Sequence, residues 1–309
     1  MADAIIKSCI SSTRRRFAIA AKPLSLVEQP DLGESVRRLF LALFAASAMF
    51  LLEHTFPTAA ENLALDEALL DHVEQLGAAR SAAGEQVDAK PTPDAPPEFL
   101  RLWESPTRAV VLGRSSSLAG EVDVTECRRR GVEVLRRTSG GAAVVLGPGC
   151  LMYSVVLSYH HHPELRAVDL AHRYVLGRVA AAVRPLVPNV AQRGTSDLAW
   201  GDQKFSGNSL RCRREAMLYH GTLLYDYPLD LITAVLRTAP RQPEYRAGRE
   251  HRAFVANLPT TATALRASLT NSFAAHQSID AQVTAQLLVT AEREAREKFA
   301  TSEWTARVP

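Results

Sequence analysis

The segment from Arg136 to Val145, which reads RRTSGGAAVV, constrains the fold most strongly. Two arginines precede a turn of small residues, and the turn runs directly into an apolar stretch typical of a strand. Gly140 and Gly141 lack a Cβ, so backbone N–H groups in the turn can approach an anion closely. Guanidinium groups add donors that pair well with phosphate. The segment predicts a binding turn for a phosphate-bearing ligand, although an ordinary hairpin turn after two basic residues fits the pattern equally well.

Other nucleotide-binding motifs and several function classes are excluded. The chain has no GxxxxGK[ST] loop and no GxGxxG after a strand, which argues against P-loop and dinucleotide-binding folds. Its net charge is only +3, so no strong field attracts nucleic acid or a membrane surface. The four cysteines (Cys9, Cys127, Cys150 and Cys212) form no CxxC pair. A disulfide framework or zinc site is therefore not expected, and no metal-ligating residue is predicted. This use of cysteine predicts a cytoplasmic location.

Hydrophobic periodicity predicts an α+β fold with a mixed, largely antiparallel sheet flanked by helices. Short apolar runs bounded by turn residues outnumber strand–helix–strand units, which favours hairpins over parallel pairing. Strands are predicted at 49–55, 99–103, 109–113, 132–136, 142–146, 152–158, 198–200 and 217–225, with Lys204 opening a return strand. Helices are predicted after the capping box at Thr58 to Glu61 and at 168–187, 229–236, 261–276 and 281–300.

The chain divides at about residue 49. Residues 1–48 read as an amino-terminal extension, either untranslated or a weak targeting segment, because Met49 opens the first strand and could serve as the start codon. The apolar run at 39–52 is shorter than the roughly 20 residues that a spanning helix needs, so no integral membrane span is expected. Residues 49–309 are predicted to form one catalytic domain, interrupted at about 77–97 by a flexible Ala-, Gly- and Pro-rich insert.

A second polar cluster lies at 196–208, between two predicted strands. Lys204 follows the turn there, and an inward-pointing lysine could place its ammonium on phosphoryl or carboxyl oxygens. Taken alone, a solvated strand lysine is the simpler interpretation. His220 lies near the following strand and could bond a substrate or orient a neighbour, although a structural histidine fits as well.

Together these segments resemble the lipoate–protein ligases and octanoyl/lipoyl transferases of the biotin/lipoate ligase superfamily. The resemblance extends from about Phe50 to Val308 and depends on the order of its motifs more than on any one of them. The motifs are 61–67 (ENLALDE), 110–114 (VVLGR), 136–145, 201–208 (GDQKFSGN), 220–224 (HGTLL), 255–258 (VANL) and 298–304 (KFATSEW). A fold like that of the class II tRNA synthetases is implied.

The resemblance also implies a reaction. Lipoate or octanoate would be activated by ATP, with Mg²⁺, to an acyl adenylate, and the acyl group would pass to a lysine of a lipoyl carrier. The carriers implied are the lipoyl domains of 2-oxoacid dehydrogenases or the glycine cleavage H protein. Lys204 matches the lysine that contacts the acyl carboxyl and the α-phosphate. The implied nucleotide site comprises Arg136, Arg137, Ser139, Gly140, Gly141, Ala142, Ala143, Val144 and Val145. The implied substrate site comprises Arg114, Asp197, Ser206, Gly207, Asn208, His220, Gly221 and Thr222.

The chain departs from the family pattern at several positions. Ala142 replaces a third glycine, no His-Asp pair follows the turn, and Cys150 replaces the asparagine after Gly149. The accessory carboxy-terminal domain of many complete ligases is missing, so activation by ATP would need a separate accessory partner. Two alternatives therefore stay open: an ATP-independent transferase using Cys150 or Cys212, and a non-catalytic relative that binds acyl adenylate or carriers.

Overall fold

The computed structural model describes residues 49–84, 95–238 and 242–308. The strands, in chain order, are β1 (Met49–Leu52), β2 (Glu98–Trp103), β3 (Ala109–Leu112), β4 (Glu133–Arg136), β5 (Val144–Leu146), β6 (Cys150–Ser158), β7 (Val190–Arg193), β8 (Asp197–Trp200), β9 (Gln203–Cys212), β10 (Ala216–Leu224) and β11 (Gln277–Ser278). The helices are α1 (Ala59–Ala82), α2 (Leu118–Glu121), α3 (Val124–Arg129), α4 (Val168–Val183), α5 (Leu229–Val235), α6 (His251–Phe254), α7 (Ala262–Phe273), α8 (Ala281–Glu294) and α9 (Ser302–Ala306). A π-helical turn, Ala295–Phe299, continues α8.

Eight strands form one sheet in the order β11-β1-β2-β6-β10-β9-β8-β7. Strand β1 runs parallel to β2 and β11, and the other neighbouring pairs are antiparallel. The smaller sheet has the order β4-β3-β5, with β3 parallel to β4 and antiparallel to β5. The predicted mixed, largely antiparallel sheet flanked by helices is confirmed.

Strands β6 and β10 form the centre of the large sheet and are buried along their whole length. Their apolar side chains alternate between two hydrophobic clusters, as the period of two in a strand requires. Met152 and Val156 face α1 and the small sheet, whereas Tyr153 and Val155 face α4 and α7. A sheet covered on both faces in this way provides a rigid base for the polar residues at its surface.

Helix α1 begins at the predicted capping box, where Thr58 accepts from the Glu61 N–H and the Glu61 carboxylate accepts from the Thr58 N–H. It continues to Ala82, so residues 77–82 of the predicted insert are helical. Alanine favours helix strongly enough to extend it, and Gly77 leaves room where a Cβ would lie 2.7 Å from the Glu215 Cβ. The remaining insert prediction falls largely on residues 85–94, outside the described residues, as does the predicted extension at 1–48.

Other boundaries differ in ways that proline and strand pairing explain. Helix α4 ends at Val183, four residues before the predicted end, because Pro185 has no N–H to continue it. Strands β7 and β11 were not predicted from the sequence; their residues are largely exposed, which removes the apolar signal. Within the described ranges, no helix combines the length and hydrophobicity needed to cross a bilayer.

Candidate active site

A cleft of about 390 Å³ lies between the turn that follows β4 and the strands β9 and β10. Its floor is apolar, with Leu63, Val111 and Met152 among its residues. Most of the predicted site residues line it: Arg137, Gly141, Ala142, Ala143, Val144, Asp197, Lys204, Gly207, Asn208, His220, Gly221 and Thr222. The glycine turn and the lysine, which are more than sixty positions apart in the sequence, therefore meet in one cavity.

A second, smaller lobe of about 130 Å³ continues past Lys204. It is lined by predicted residues that include Val145 and Ser206, and by apolar residues such as Ile232 and Phe254. The two lobes share part of their lining. Both are bordered by residues 142–144, which lie at the end of the turn and the start of β5, and by Lys204, Gly207 and Thr222. The lysine amine thus stands where the two lobes meet.

The Lys204 amine is held by an ion pair with Asp197. Lys204 Nζ lies 2.7 Å from Asp197 Oδ1, and the Tyr245 hydroxyl donates to Asp197 Oδ2 at 2.9 Å. Burial and the Asp197 carboxylate raise the pKa of Tyr245, so its hydroxyl stays protonated and donates at neutral pH. The Lys204 side chain is 26% exposed, which leaves the amine accessible to a ligand.

Local backbone geometry directs Lys204 into the cleft. The register between β8 and β9 shifts at Leu198, leaving Phe205 as an extra residue, and such a bulge re-aims neighbouring side chains. A Cβ at Gly207 would lie 3.0 Å from Lys204 Nζ, so glycine there lets the amine cross the strand. The Lys204 carbonyl accepts from the Ala256 N–H at 2.9 Å, which joins the 255–258 motif to the lysine.

The glycine turn is shaped by Arg137 beneath it. The Arg137 guanidinium donates to the carbonyls of Gly140, Ala142 and, at 2.9 Å, Val111. Burial lowers the pKa of Arg137 to about 10, so it remains charged at neutral pH. Gly141 has φ +84°, a conformation that favours glycine, and its carbonyl approaches Gly113 so closely that a Cβ there would lie 1.8 Å from the oxygen.

The Ala143 N–H, on the other side of the turn, donates to Glu121 Oε2 at 2.6 Å. Glu121 is itself buried at the end of α2. A carboxylate therefore already accepts from one of the backbone donors that the sequence predicts for an anion.

Four predicted ligand-binding residues do not line either lobe of the cleft, and Arg136 and Arg114 are two of them. Arg136 is fully buried and donates to the carbonyls of Gly113 and Ser116, each at 2.7 Å, and to those of Thr305 and Val308. Adjacent residues of a strand point to opposite faces, so only one of the two arginines can face the cleft. Arg114 is exposed and contributes its backbone N–H to the Ser139 carbonyl at 2.8 Å.

Ser139 and Gly140 support the turn without lining the cleft. The Gly140 carbonyl accepts from the Ser209 hydroxyl at 2.8 Å. Ser139 is 1% exposed, and its Oγ lies 2.6 Å from His220 Nε2 and 3.0 Å from Arg137 Nε. Both residues therefore contribute to the shape of the turn.

Asp66 on α1 completes this group of buried polar contacts. Its Oδ2 lies 3.3 Å from His220 Nδ1 and accepts from the Ser154 hydroxyl at 2.7 Å, and its Oδ1 lies 2.6 Å from Arg101 NH1. Burial alone would raise the pKa of Asp66, but Arg101, His220 and Ser154 together hold it below its ordinary value. Asp66 is therefore an anion in the core next to the cleft.

The predicted residues of β9 and β10 form a tightly packed cleft wall. Asn208 Oδ1 accepts from the Tyr153 hydroxyl at 2.6 Å, and Thr222 Oγ1 accepts from the Gly207 N–H at 3.1 Å. A Cβ at Gly221 would lie 1.8 Å from Asn208 Oδ1, so only glycine allows this packing.

Sequence reasoning missed several residues of the site. Ser209, Thr195, Gln242 and Pro243 line the cleft without carrying a recognisable signal, and Ser196 lies in the predicted polar cluster without having been assigned to the site. Asp66 did carry a signal in the sequence. It lies between Leu65 and Leu69 on the apolar face of α1, and a carboxylate buried there needs a partner in the fold.

The cysteines within the described residues lie outside the cleft. Burial raises the pKa of Cys150 far above its ordinary value, and Cys212 is exposed at the end of β9. Across the described part of the chain, no group of three or more histidine, cysteine, aspartate and glutamate side chains is arranged to hold a metal ion.

Comparison with known sequences identifies the family. A family model of the lipoyl protein ligase A/B catalytic domain matches residues 58–277. The putative lipoate–protein ligase A of Aeropyrum pernix is 31% identical over 163 residues, 53% of this chain and 52% of that one. The octanoyltransferase LipM of Carboxydothermus hydrogenoformans is 29% identical over 206 residues, 60% and 68% of the two chains. The chain spans about half the length of the curated ligases it matches.

Solved structures share the fold. A bipartite lipoate protein ligase from Thermoplasma acidophilum, described with its E2 lipoyl domain, aligns with a TM-score of 0.64 at 23% identity, covering 85% of this chain and 97% of that one. A lipoate–protein ligase A bound with ATP aligns with a TM-score of 0.62 at 22% identity, covering 85% and 99%. With the family match extending over more than half of its length, the chain belongs to the lipoyl protein ligase A/B catalytic domain family.

Proposed function

We propose that this protein activates lipoate or octanoate with ATP to an acyl adenylate and transfers the acyl group to a lysine of a lipoyl carrier. One observation carries the proposal: the Lys204 amine and the glycine turn border the same cavity, at the junction of two lobes. A mixed anhydride has two unlike halves joined at an anionic centre. A cation between two lobes suits that shape.

The two halves of the adenylate are assigned to lobes by their chemistry. The larger lobe has an apolar floor at Leu63, Val111 and Met152, which suits the acyl chain. The smaller lobe has the aromatic ring of Phe254 with His251 and Arg246 beside it, which suits a nucleoside base. The reacting carboxyl and α-phosphate then lie next to Lys204.

In the first step a carboxylate oxygen attacks the α-phosphorus of ATP and pyrophosphate leaves. In the second, the carrier lysine amine attacks the acyl carbon, the amide forms and AMP leaves. Lys204 would offset the negative charge that grows on the carboxyl and phosphoryl oxygens in both steps. On ligand binding its ammonium would exchange the Asp197 carboxylate for these oxygens.

Mg²⁺ would bind together with ATP. The described residues offer no complete set of metal ligands, so phosphate oxygens and water would supply most of the coordination. The proposed carriers are the lipoyl domains of 2-oxoacid dehydrogenases or the glycine cleavage H protein. Because a bipartite ligase occurs among the structural neighbours, a separate accessory protein is part of the proposal.

The test is a pyrophosphate-release assay with lipoate, octanoate and biotin in turn, with and without the accessory domain of a related ligase added in trans. Release that depends on lipoate or octanoate supports the proposal, and release with biotin alone contradicts it.

The alternative is acyl transfer from a carrier protein without ATP. The similarity to an octanoyltransferase favours it, but a cysteine nucleophile does not fit the described residues, since Cys150 is buried and Cys212 lies outside the cleft. Octanoyl transfer from carrier protein without ATP would establish this alternative. No product in either assay would indicate a non-catalytic binder.

A further inference from the structure

Asp66, His220 and Ser139 are arranged in the order of an acid–base–nucleophile group. The contacts run from the Asp66 carboxylate to His220 Nδ1 at 3.3 Å and from His220 Nε2 to Ser139 Oγ at 2.6 Å. The serine is nevertheless closed off, since it is 1% exposed and its hydroxyl also contacts the Arg137 guanidinium at 3.0 Å. A nucleophile needs access to its substrate, so these contacts serve another purpose.

We propose that Asp66 is a positioning residue, which fixes the conformation of the glycine turn through His220 and Ser139. The three residues form a relay from the core of the domain to the ligand-binding surface. Asp66 belongs to helix α1, His220 to the central strand β10 and Ser139 to the turn itself. The relay therefore joins three separate elements at the cleft.

The direction of each hydrogen bond follows from the partners. Asp66 is an acceptor, so His220 donates from Nδ1, and its Nε2 then accepts from the Ser139 hydroxyl. The Ser139 oxygen in turn accepts from Arg137 Nε. Arg137 donates to the carbonyls of Gly140 and Ala142, so the carboxylate fixes both the histidine tautomer and the backbone of the turn.

Contacts with other elements also hold Asp66 in place. The Arg101 guanidinium from β2, which is its ion-pair partner, and the Ser154 hydroxyl from β6 both donate to the carboxylate. All of these side chains are at most 2% exposed, so water does not compete for their bonds. The turn is then ordered before a ligand arrives, and the ligand does not have to order it.

The test compares Ser139→Ala with Ser154→Ala. Both substitutions remove one buried hydroxyl of equal size. Ser139 links the relay to the turn, whereas Ser154 bonds to Asp66 Oδ2 away from the turn residues, and the Arg101 ion pair still holds that carboxylate without it. Hydrogen exchange of the amides at 140–145 is the primary measurement, on the full chain without ligand. We expect Ser139→Ala to accelerate exchange there about tenfold, the loss of one buried hydrogen bond, and Ser154→Ala to leave it unchanged.

A kinetic measurement follows, and this part alone rests on the proposed function. If a smaller fraction of the free protein has the ordered turn, the apparent affinity for lipoate falls in proportion to that fraction. The bound state itself is unaltered. Ser139→Ala should therefore raise KM for lipoate about tenfold with kcat little changed. If the proposed reaction is not found, the exchange experiment still tests the relay.

The outcomes are distinct. Equal exchange at 140–145 in the two variants would overturn the proposal, as would a lower kcat at unchanged KM. Asp66→Asn tests the origin of the relay, but it leaves Arg101 unpaired and could fail to fold. The His220 ring nitrogen shifts of the wild type provide the remaining check: protonation on Nε2 alone, with Nδ1 bare, would contradict the proposed directions.

Discussion

The two walls of the cleft are held in place by different means. The glycine turn is fixed from below by Arg137, Ser139 and the buried relay to Asp66, none of which is exposed. The opposite wall carries Lys204, a partly exposed amine paired with Asp197. For the proposed reaction, this difference suits a division of labour: one wall supplies a turn that is ordered by buried contacts, and the other supplies an accessible charge that can exchange Asp197 for the reacting oxygens.

The largest expected effect is on the fixed wall. Asp66→Asn breaks a buried ion pair and leaves Arg101 without its counter-charge, so the free energy of unfolding at pH 7 should fall by about 3–5 kcal/mol. Urea denaturation of both proteins measures it. A loss below 1 kcal/mol would contradict the idea that this wall depends on the carboxylate.

The same variant should alter the pH dependence of stability. The pKa of Asp66 is depressed in the folded protein, so its contribution is complete above the unfolded value of about 4 and is lost as pH falls through the lower folded value. The advantage of the wild type over Asp66→Asn should therefore shrink below about pH 4. If the stability advantage of the wild type over Asp66→Asn grew as the pH fell, the pKa of Asp66 would be raised in the folded protein, not lowered.

On the wall that carries Lys204, Lys204→Ala should lower kcat by about 10²–10³, the usual cost of one preorganised charge at a reacting centre. Stability should hardly change, because the Lys204–Asp197 pair is partly exposed. Turnover is measured by pyrophosphate release and folding by thermal denaturation. Near-normal turnover would remove Lys204 from the mechanism.

Gly113→Ala and Gly207→Ala add the same methyl group to the two walls. At Gly113 the new Cβ would lie 1.8 Å from the Gly141 carbonyl oxygen, and because backbone cannot yield easily, we expect a loss of about 1–3 kcal/mol in stability. Denaturant unfolding measures the loss. No loss would mean that the turn is free to shift.

Gly207→Ala is expected to lower stability much less than Gly113→Ala. Its Cβ would lie 3.0 Å from Lys204 Nζ, at the mobile end of a side chain that can swing aside, so stability should change by less than about 1 kcal/mol. Turnover should fall several-fold because the amine is displaced. If both glycine variants are equally destabilised, the two walls do not differ in rigidity.

Much of the fold could be predicted from the sequence because periodicity and turn chemistry are local. The convergence of Lys204 with the glycine turn followed from the family motifs. Three features could not be predicted in this way. The sequence does not show which side of the small sheet is covered, and this decides whether Arg136 or Arg137 faces the cleft. The contact between Asp66 and His220 joins residues 154 positions apart. The shift that leaves Phe205 unpaired likewise depends on strand pairing.

Arg136 also connects the small sheet with the end of the described chain. Its guanidinium donates to the carbonyls of Thr305 and Val308, and the Trp304 indole returns a hydrogen bond to the Arg136 carbonyl at 2.8 Å. Removing this segment, or displacing it with a fused tag, would leave the buried Arg136 guanidinium without these acceptors, one residue from Arg137. Protein engineers who alter this end of the molecule should expect catalytic parameters to change along with yield.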